Sequence, residues 1–536
     1  MRASLKLLYI SFFIFTLFTV AILNAKNYTQ HTFFAPSVSN FYNGIFYPTL
    51  DKQRHQAVKT SLGGTLNLTP LYKHSTDKNA LGKYMGFKSS TGDIKDYISI
   101  IDSEVTYAET PEVNLALFNT RVGPDNVWAE YIIHDSARDY RQNIRDKIQF
   151  KPEEEIFSLY CAYHHNLDSI INGLYIEWTL PITKINHKLT LTRIGDYSAL
   201  AINDGTLNHM SNGKTFIDYL AGNVYEMRET SCMQQAPLKC AKMVPYLSKT
   251  GLADLTTKLG YKFINKKNLF FGLNAHVIAP TAKPPMGEYI FEPILGNGHH
   301  WGTGGGIDFA WRFLKHNKTS LSLVSLITLD YLFPVTQRRT LGIKKDDGTQ
   351  IPFGHYYAVG QTGVRYLTPF ANVSTQALKI SPGVFCEGLL SVKGKVSSCE
   401  INLGYNLFVK QKESVTLRQT WLENTYAIAH EDYKTVAPFF THDTVVNIPT
   451  GPGEEQVFTN PNRIDKYILG KIQTKNLDMS PAITPAQFTH TLFISADYSI
   501  KWRTPITLGL GGAYTISSYN NVPSGYALWV STGLTF

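Results

Sequence analysis

The chain has 536 residues, of which 43% are hydrophobic, 17% charged and 13% aromatic, and its formal net charge at pH 7 is +9. After the N-terminal region, no stretch reaches the roughly 18 consecutive apolar residues that a membrane helix needs. Basic clusters interleaved with aromatic residues are also missing, so a nucleic-acid partner is not expected.

The N-terminal region, residues 1–25, has the features of a secretory signal peptide. Arg2 and Lys6 precede an apolar run over 7–23, and small residues follow at a tolerable cleavage site. The alternative is an uncleaved membrane anchor, because the apolar run is long for a signal. With the signal removed, residues 26–55 are expected to form a periplasmic segment before the first strand.

The first clear strand pattern lies in VKTSLGGTLNL (58–68), where apolar and polar residues alternate with the period of a strand. Comparable segments recur along the chain. The twelve predicted strands are 56–70, 146–165, 174–194, 251–264, 268–280, 301–314, 319–334, 374–392, 396–411, 488–503, 505–518 and 526–536.

The connections between these strands differ in length in a regular way. Short links such as LDSIING, INKKN, KHNK, VKGK and RT join even strands to odd ones, and the long links join odd strands to even ones. In an up-and-down sheet the short links then share one end and the long links the other. Bacterial outer-membrane barrels have this asymmetry, with short periplasmic turns and long outer loops.

The sequence therefore predicts an all-β fold: a closed antiparallel up-and-down transmembrane β-barrel over residues 56–536, with about 12 strands within a range of 10–16. A soluble β-sandwich has strands of about five or six residues, shorter than these. A β-solenoid needs a fixed repeat period, and none is found.

One face of the predicted strands is polar and is expected to line the lumen. Its charged members are of both signs, and the candidates for lumen-lining residues are Lys258, Asp308, Arg312, Asp330, Asp497 and Lys501. These charges either pair with each other and merely satisfy the interior, or they form a narrow selectivity path for small solutes.

Aromatic residues mark the strand ends and the C-terminus. Tyr261, Phe263, Trp301, Trp311, Tyr331, Phe333, Trp502, Tyr526 and Trp529 are candidates for interfacial belts. The chain ends on GYALWVSTGLTF (525–536), with Phe536 on the apolar face of the last strand. A terminal aromatic of this kind resembles the signal that barrel-assembly machinery recognises.

The five cysteines are an odd number for an exported chain. Cys232 and Cys240 lie in one polar segment and are close enough in sequence to close a loop as a disulfide. Cys386 and Cys399 flank the predicted VKGK turn and are candidates for a pair across two strands. Reduced, unlinked thiols are the alternative for each pair, and the sequence alone does not decide.

A few residues invite an enzymatic interpretation. His134 and Ser136 have the His-x-Ser arrangement that resembles outer-membrane phospholipase and lipid-A deacylase barrels, with Asn143 as a guessed third member. His299 and His300 are adjacent, and adjacent strand residues point to opposite faces, so a shared metal is not expected. We expect no metal, no other cofactor and no catalytic activity.

A family resemblance lies in KTGLADLTTKLGYKFINKKNLFFGLNAHVIAPTA (249–282) and HHWGTGGGIDFAWRF (299–313). The G-x-x-D-L strand, the G-Y-K-F strand end, the short turn and the closing P-T resemble the outer-membrane family named for the phenol meta-degradation pathway. Ala282 stands where that family has a final glycine. The family is similar to fatty-acid-transporter barrels, and the resemblance implies passage of hydrophobic molecules.

These observations predict an outer-membrane channel or transporter for small, possibly hydrophobic molecules. Its expected partners are outer-membrane lipid, the barrel-assembly machinery and a small-molecule solute. One alternative is a structural or adhesive barrel that acts through its long outer loops. The other is a lipid hydrolase that uses His134 and Ser136.

Overall fold

The computed structural model describes residues 31–34, 63–88, 94–101, 127–128, 145–194, 206–207, 214–223, 234–361, 366–428, 448–449, 455–456, 471–500, 503–518 and 522–536. The proposed signal peptide lies outside them. Among the described residues, no helix combines the length and the apolar character needed to span a membrane.

The core of the fold is a closed barrel of twelve antiparallel strands. Each strand pairs with its neighbour in sequence, and the last pairs with the first, with Thr65 opposite Thr535. The barrel strands are β1 (Gly64–Ser75), β2 (Arg145–Asn166), β3 (Leu174–Arg193), β4 (Leu255–Lys266), β5 (Leu269–Ala279), β6 (Gly302–His316), β7 (Thr319–Leu332), β8 (Gly383–Val396), β9 (Cys399–Lys410), β10 (Gln487–Ile500), β11 (Ile506–Ser517) and β12 (Gly525–Thr535).

The predicted all-β barrel and its strand number are confirmed, with two shifts in position. The first strand was expected at 56–70 and lies at Gly64–Ser75. The segment 374–392 divides at Pro382–Gly383 into a short strand and β8, because Gly383 has a φ of +76° and breaks the ladder.

The connections alternate as predicted: the tight turns lie at one end of the barrel and the long connections at the other. Residues 317–318 and 397–398 each link two strands directly, and Asn317 and Ser397 have positive φ values of 47° and 55°. Such values suit tight hairpin turns. The VKGK stretch is not a turn, since it lies at the end of β8.

The long connections fold into a cap with its own hydrophobic core, which the sequence did not predict. Members of this core come from most of the long connections and include Tyr84, Phe150, Phe216, Leu341, Phe353, Tyr356, Phe370, Leu378, Ile380, Trp421, Ile472 and Leu477, all nearly inaccessible to water. The ends of β2 and β3 reach up into it, with Phe150 and Leu189 on the buried face.

Short elements build the cap. The helices are α1 (Lys78–Met85), α2 (Phe216–Leu220) and α3 (Phe370–Ser374), with 3₁₀ turns at Gly354–Tyr356, Thr474–Asn476 and Ser480–Ala482. The strands outside the barrel are Phe87–Lys88, Ile94–Lys95, Tyr97–Ile101, Val127–Trp128, Thr206–Leu207, Lys214–Thr215, Gln234–Gln235, Tyr246–Leu252, Val335–Thr340, Gly342–Ile343, Ala358–Gln361, Tyr366–Pro369, Thr375–Ser381, Ser414–Leu417, Tyr426–Ile428, Ile448–Pro449, Glu455–Gln456 and Leu477–Asp478.

Residues 31–34 lie in this cap, at the long-connection end. Thr32 donates its backbone N–H to Pro481 at 2.8 Å and its hydroxyl to Thr340 at 2.7 Å. The guanidinium of Arg339 lies 3.4 Å from the centre of the Phe33 ring. A periplasmic position was expected for 26–55, so for these four residues the expected end of the barrel is wrong: their partners are all cap residues.

Candidate functional site

The barrel interior carries the polar face of the strands. Four of the predicted lumen residues are buried there, namely Lys258, Asp308, Asp330 and Asp497, each 6% exposed or less. Arg312 is half-buried on β6, and Lys501 lies outside the described residues. The outward positions of the same strands, such as Leu259 and Leu329, are about half exposed.

The charged lumen residues have polar partners on neighbouring strands. Glu177 on β3 accepts Lys258 at 3.3 Å and faces His164 at 3.6 Å. The imidazole of His276 on β5 contacts the Asp330 carboxylate on β7. The interpretation that these interior charges satisfy one another therefore fits this part of the lumen.

Two further aspartates are held by neutral donors. Asp308 accepts the Tyr175 hydroxyl at 2.9 Å and the Asn274 amide at 3.2 Å. Asp497 accepts the Asn402 amide at 3.3 Å. Hydrogen bonds of this kind keep the carboxylates against the wall.

An apolar layer also lines the lumen, and we call it the apolar girdle. It runs along β1, β2, β7, β8, β10 and β12 and consists of Leu71, Tyr160, Ala162, Val324, Leu326, Leu389, Phe493, Ala527 and Trp529. None of these side chains is more than 6% exposed, so the barrel has a level that water barely reaches. The alternation pattern identified the inward positions but not this clustering.

Two large rings of the girdle lie against glycines of neighbouring strands. Phe493 lies over Gly404, and Trp529 lies over Gly511, so closely that a Cβ atom at either glycine would overlap the ring. Glycine is required at both positions because it leaves room for the ring against the wall. The pattern also corrects Trp529, which was expected in an interfacial belt and instead points inward.

A cavity of about 110 Å³, the volume open to the centre of a water-sized sphere, lies between the girdle and the cap. It is lined by Tyr160, Thr179, Pro181, Ala253, Asp254, Thr256, Lys258, His276, Ile278, Gly296, Asn297, Thr328, Asp330, Phe385 and Glu387. The lining thus combines aromatic rings with ionisable groups of both signs. Predicted lumen residues Lys258 and Asp330 come together here.

The cavity is roofed by the connection between β5 and β6. Asp254 accepts the backbone N–H of Asn297 at 2.6 Å, and the Thr281 hydroxyl donates to the Ala253 carbonyl. Gly296 has a φ of +61° and packs against the Asp254 carboxylate, where a side chain would not fit. These contacts hold the roof over the barrel mouth.

The cap beside this roof contains a buried ion pair. Arg339 donates to Glu413 at 2.6 Å, and Lys410 approaches the other Glu413 oxygen at 3.2 Å. Burial alone would raise the pKa of Glu413, but the two cations hold that pKa below its usual range. Burial lowers the pKa of His355, in the cap core, to about 3.

The cysteines do not support the predicted cross-strand disulfide. Cys386 pairs with Val409, and Cys399 pairs with Val396 beside the turn, so the two thiols lie at opposite ends of the hairpin. The misplaced VKGK turn led to this error. Cys161, Cys240, Cys386 and Cys399 are free thiols, and Cys232 lies outside the described residues.

The candidate histidines do not form a metal site. His299 has a φ of +74° and contacts the Ala282 carbonyl at 2.6 Å, whereas His300 contacts the Phe333 carbonyl at 2.8 Å. Within the described ranges, no group of three or more His, Cys, Asp or Glu side chains is placed to hold a metal. His134, Ser136 and Asn143 fall outside those ranges.

The outer surface of the barrel is apolar and carries aromatic side chains near the strand ends. Tyr261 and Phe263 lie near the short-turn end, and Trp301, Tyr331 and Phe333 near the long-connection end, each at least 37% exposed. Trp502 lies outside the described residues. Rings at both edges of an apolar band are typical of membrane interfaces.

The sequence matches no protein-family model and no curated protein. Solved barrels give distant structural matches. An outer membrane channel from Pseudomonas putida F1 is 10% identical, with 89% of this chain and 97% of that chain covered and a TM-score of 0.33.

Two other solved structures show how broad these matches are. The Pseudomonas putida toluene transporter TodX is 9% identical, with 96% of each chain covered and a TM-score of 0.31. The β domain of the Bordetella autotransporter BrkA is 6% identical, with 88% of this chain and 99% of that chain covered and a TM-score of 0.30. Scores at this level assign neither a family nor a cargo.

Proposed function

We propose that this protein is an outer-membrane channel that passes small, predominantly apolar molecules. The membrane location is supported by the closed barrel, its apolar outer surface and the separation of short turns from long connections. The short-turn end is then periplasmic, and the cap lies outside the cell.

The observation that carries the choice of cargo is the apolar girdle. Its side chains are nearly inaccessible to water, and hydrophobic constrictions of this type oppose the passage of water and ions. A hydrated ion would lose its water there without compensation, whereas an apolar solute loses little. The cavity above the girdle supplies a place for a solute to wait, between Tyr160 and Phe385.

The test is uptake by liposomes that contain the purified protein. A small aromatic hydrocarbon should enter faster than into protein-free liposomes, whereas a sugar of similar mass should not. Equal acceleration of both solutes would indicate a general water-filled pore, and acceleration of neither would exclude passive passage.

A structural or adhesive role is the second candidate, and the compact cap favours it. Exposed loops that merely connect strands do not need a shared hydrophobic core, but a platform for a partner does. Binding of whole cells to a surface, compared with and without the protein, separates this role from transport. The hydrolase alternative stays a prediction, which loss of lipase activity in Ser136→Ala would support.

Assembly in the membrane is proposed to depend on the C-terminal residue. Phe536 exchanges two backbone hydrogen bonds with Gly64, at 2.9 and 3.0 Å, and its ring stacks with Tyr163 at 6.2 Å. The terminus therefore helps to close the barrel, and its aromatic side chain is available on the outer surface for recognition by the assembly machinery and for contact with lipid.

A further inference from the structure

A three-stranded sheet of the cap presents a basic face. The strands Val335–Thr340, Thr375–Ser381 and Ser414–Leu417 pair side by side. Their exposed face carries Arg338, Lys379 and, directly after the third strand, Arg418. Hydroxyl groups lie between these cations, and they come from Thr336, Ser381, Ser414 and Thr416. We call this surface the basic face.

The register brings the three cations together. Arg338 lies opposite Ala377 on the middle strand, and the Arg418 N–H bonds to the Ala377 carbonyl from the other side. The two arginines are therefore about 10 Å apart at the backbone, because neighbouring strands are about 4.8 Å apart. Lys379 lies two residues along the middle strand. The Arg418 guanidinium reaches across that strand to the Thr336 hydroxyl at 2.7 Å.

No acidic side chain balances this face in the part of the chain that the structure describes, where no carboxylate lies within 4 Å of the three cations. The nearby Glu413 points to the other side of the sheet, where it bonds to Arg339. Like charges on one sheet face repel each other. Such an arrangement is favourable when an external anion binds between the charges.

The position of the basic face points to the membrane. Leu378 and Ile380 fill the cap core from the other side of the sheet, so the basic face looks away from the cap. Val335 begins directly after the end of β7, where Phe333 is 45% exposed at the edge of the apolar band. The row that contains Lys379 lies opposite Thr336. It is therefore about 10 Å beyond Phe333, at the depth of lipid headgroups.

The other side of the barrel lacks this imbalance. Lys184 and Lys188 point outward on β3 above the band, but Glu153 lies 4.0 Å from Lys188 and 2.7 Å from Lys78. Glu155 is a further outward carboxylate of β2 and faces His74 at 3.5 Å. The positive charge is thus concentrated on the side formed by β7, β8 and β9.

We propose that the basic face binds the phosphate groups of a phosphorylated glycolipid in the outer leaflet of the outer membrane. Arginine is suited to phosphate because its planar guanidinium offers paired N–H donors, and hydroxyls between the cations add further donors. This inference rests on the proposed outer-membrane location and not on the proposed cargo.

The experiment is binding of lipid A to the purified full-length protein in neutral detergent, with phosphate-free lipid A as the comparison lipid. The test variant is Arg338→Gln/Lys379→Gln/Arg418→Gln. The matched control is Lys78→Gln/Lys184→Gln/Lys188→Gln, which removes the same charge from the mixed face. We expect lipid A binding to weaken about tenfold in the test variant and to change little in the control.

Three results would overturn the inference: equal binding of both lipids, equal loss in both variants, or displacement of lipid A by millimolar inorganic phosphate, which would indicate a site for a free anion. Heat-modifiability on gels verifies that each variant is folded. Solute uptake is measured on the same preparations. Uptake without lipid selectivity refutes only this inference, and lipid selectivity without uptake refutes only the proposed cargo.

Discussion

The indole of Trp529 on β12 lies flat over Gly511 of the neighbouring strand β11, inside the barrel. Only glycine leaves this space, so the ring can lie along the wall and still belong to the apolar girdle. The same relationship joins Phe493 and Gly404. The width of the lumen at this level is therefore set by two rings and by the two glycines beneath them.

Removing the rings should open the girdle to water. In Trp529→Ala/Phe493→Ala we expect a measurable ion conductance in planar bilayers where the wild-type protein shows little, because the dry level is lost. Leu528→Ala/Leu492→Ala is the matched control, since both side chains point outward. No difference in conductance between the two variants would mean that the girdle does not limit passage.

Filling the space beneath the indole should displace it. Gly511→Val places a side chain where the Trp529 ring lies, so the ring must move or the strand pairing must distort. We expect less folded barrel, measured by heat-modifiability, and recovery when Trp529→Ala is added. Gly512→Val is the control because the nearest atom to its Cβ is the end of the flexible Leu528 side chain. Absence of recovery in the double variant would contradict the proposed contact.

The buried ion pair should stabilise the cap. Replacing Glu413 by Gln leaves Arg339 without its charged partner in an environment that is almost closed to water, and such losses cost about 3–5 kcal/mol. Limited proteolysis should therefore cut the cap earlier in this variant. Asp346→Asn, which removes the exposed pair with Lys475, should change little. Equal protease resistance in both variants would show that the pair is not needed.

The cap should weaken in acid. His355 has its pKa lowered to about 3 in the folded cap against an ordinary value of 6.5. Below pH 6.5 the unfolded cap therefore binds a proton that the folded cap does not, and stability falls until about pH 3. The depressed pKa of Glu413 acts in the same direction at lower pH. Proteolysis rates between pH 7.5 and 4, as about the practical range, should rise less steeply in His355→Phe.

Deleting Phe536 should impair insertion into the membrane. The deletion removes two backbone hydrogen bonds to Gly64 and the ring that packs over this glycine. We expect a lower surface level and less heat-modifiable protein, whereas Phe536→Tyr should behave like the wild type. An unchanged surface level in the deletion variant would count against both barrel closure by this residue and its recognition by the assembly machinery.

The sequence was sufficient for the barrel because one physical rule governs every strand. Outward side chains are apolar and inward ones are polar, so the alternation around Leu321 and Asp330 located both faces of β7. Link lengths then gave the two ends. Short-range signals were less reliable: VKGK looks like a turn, but the positive φ belongs to Ser397.

The apolar girdle and the cap could not be predicted from the pattern. Trp529 and Phe493 break the alternation because they are apolar residues on the inward face, and their meaning depends on glycines more than fifteen residues away in the chain. The cap core combines residues as distant as Phe34 and Leu477. Period and composition carry no information about such long-range contacts.

The most direct test of the proposed function is solute uptake by liposomes that contain wild-type protein or Trp529→Ala/Phe493→Ala. We predict that the wild type admits a small aromatic hydrocarbon and excludes a sugar of similar mass, and that the variant admits both. The apolar girdle would then be the selectivity element. Wild-type liposomes that admit the sugar as fast as the hydrocarbon would contradict the proposal.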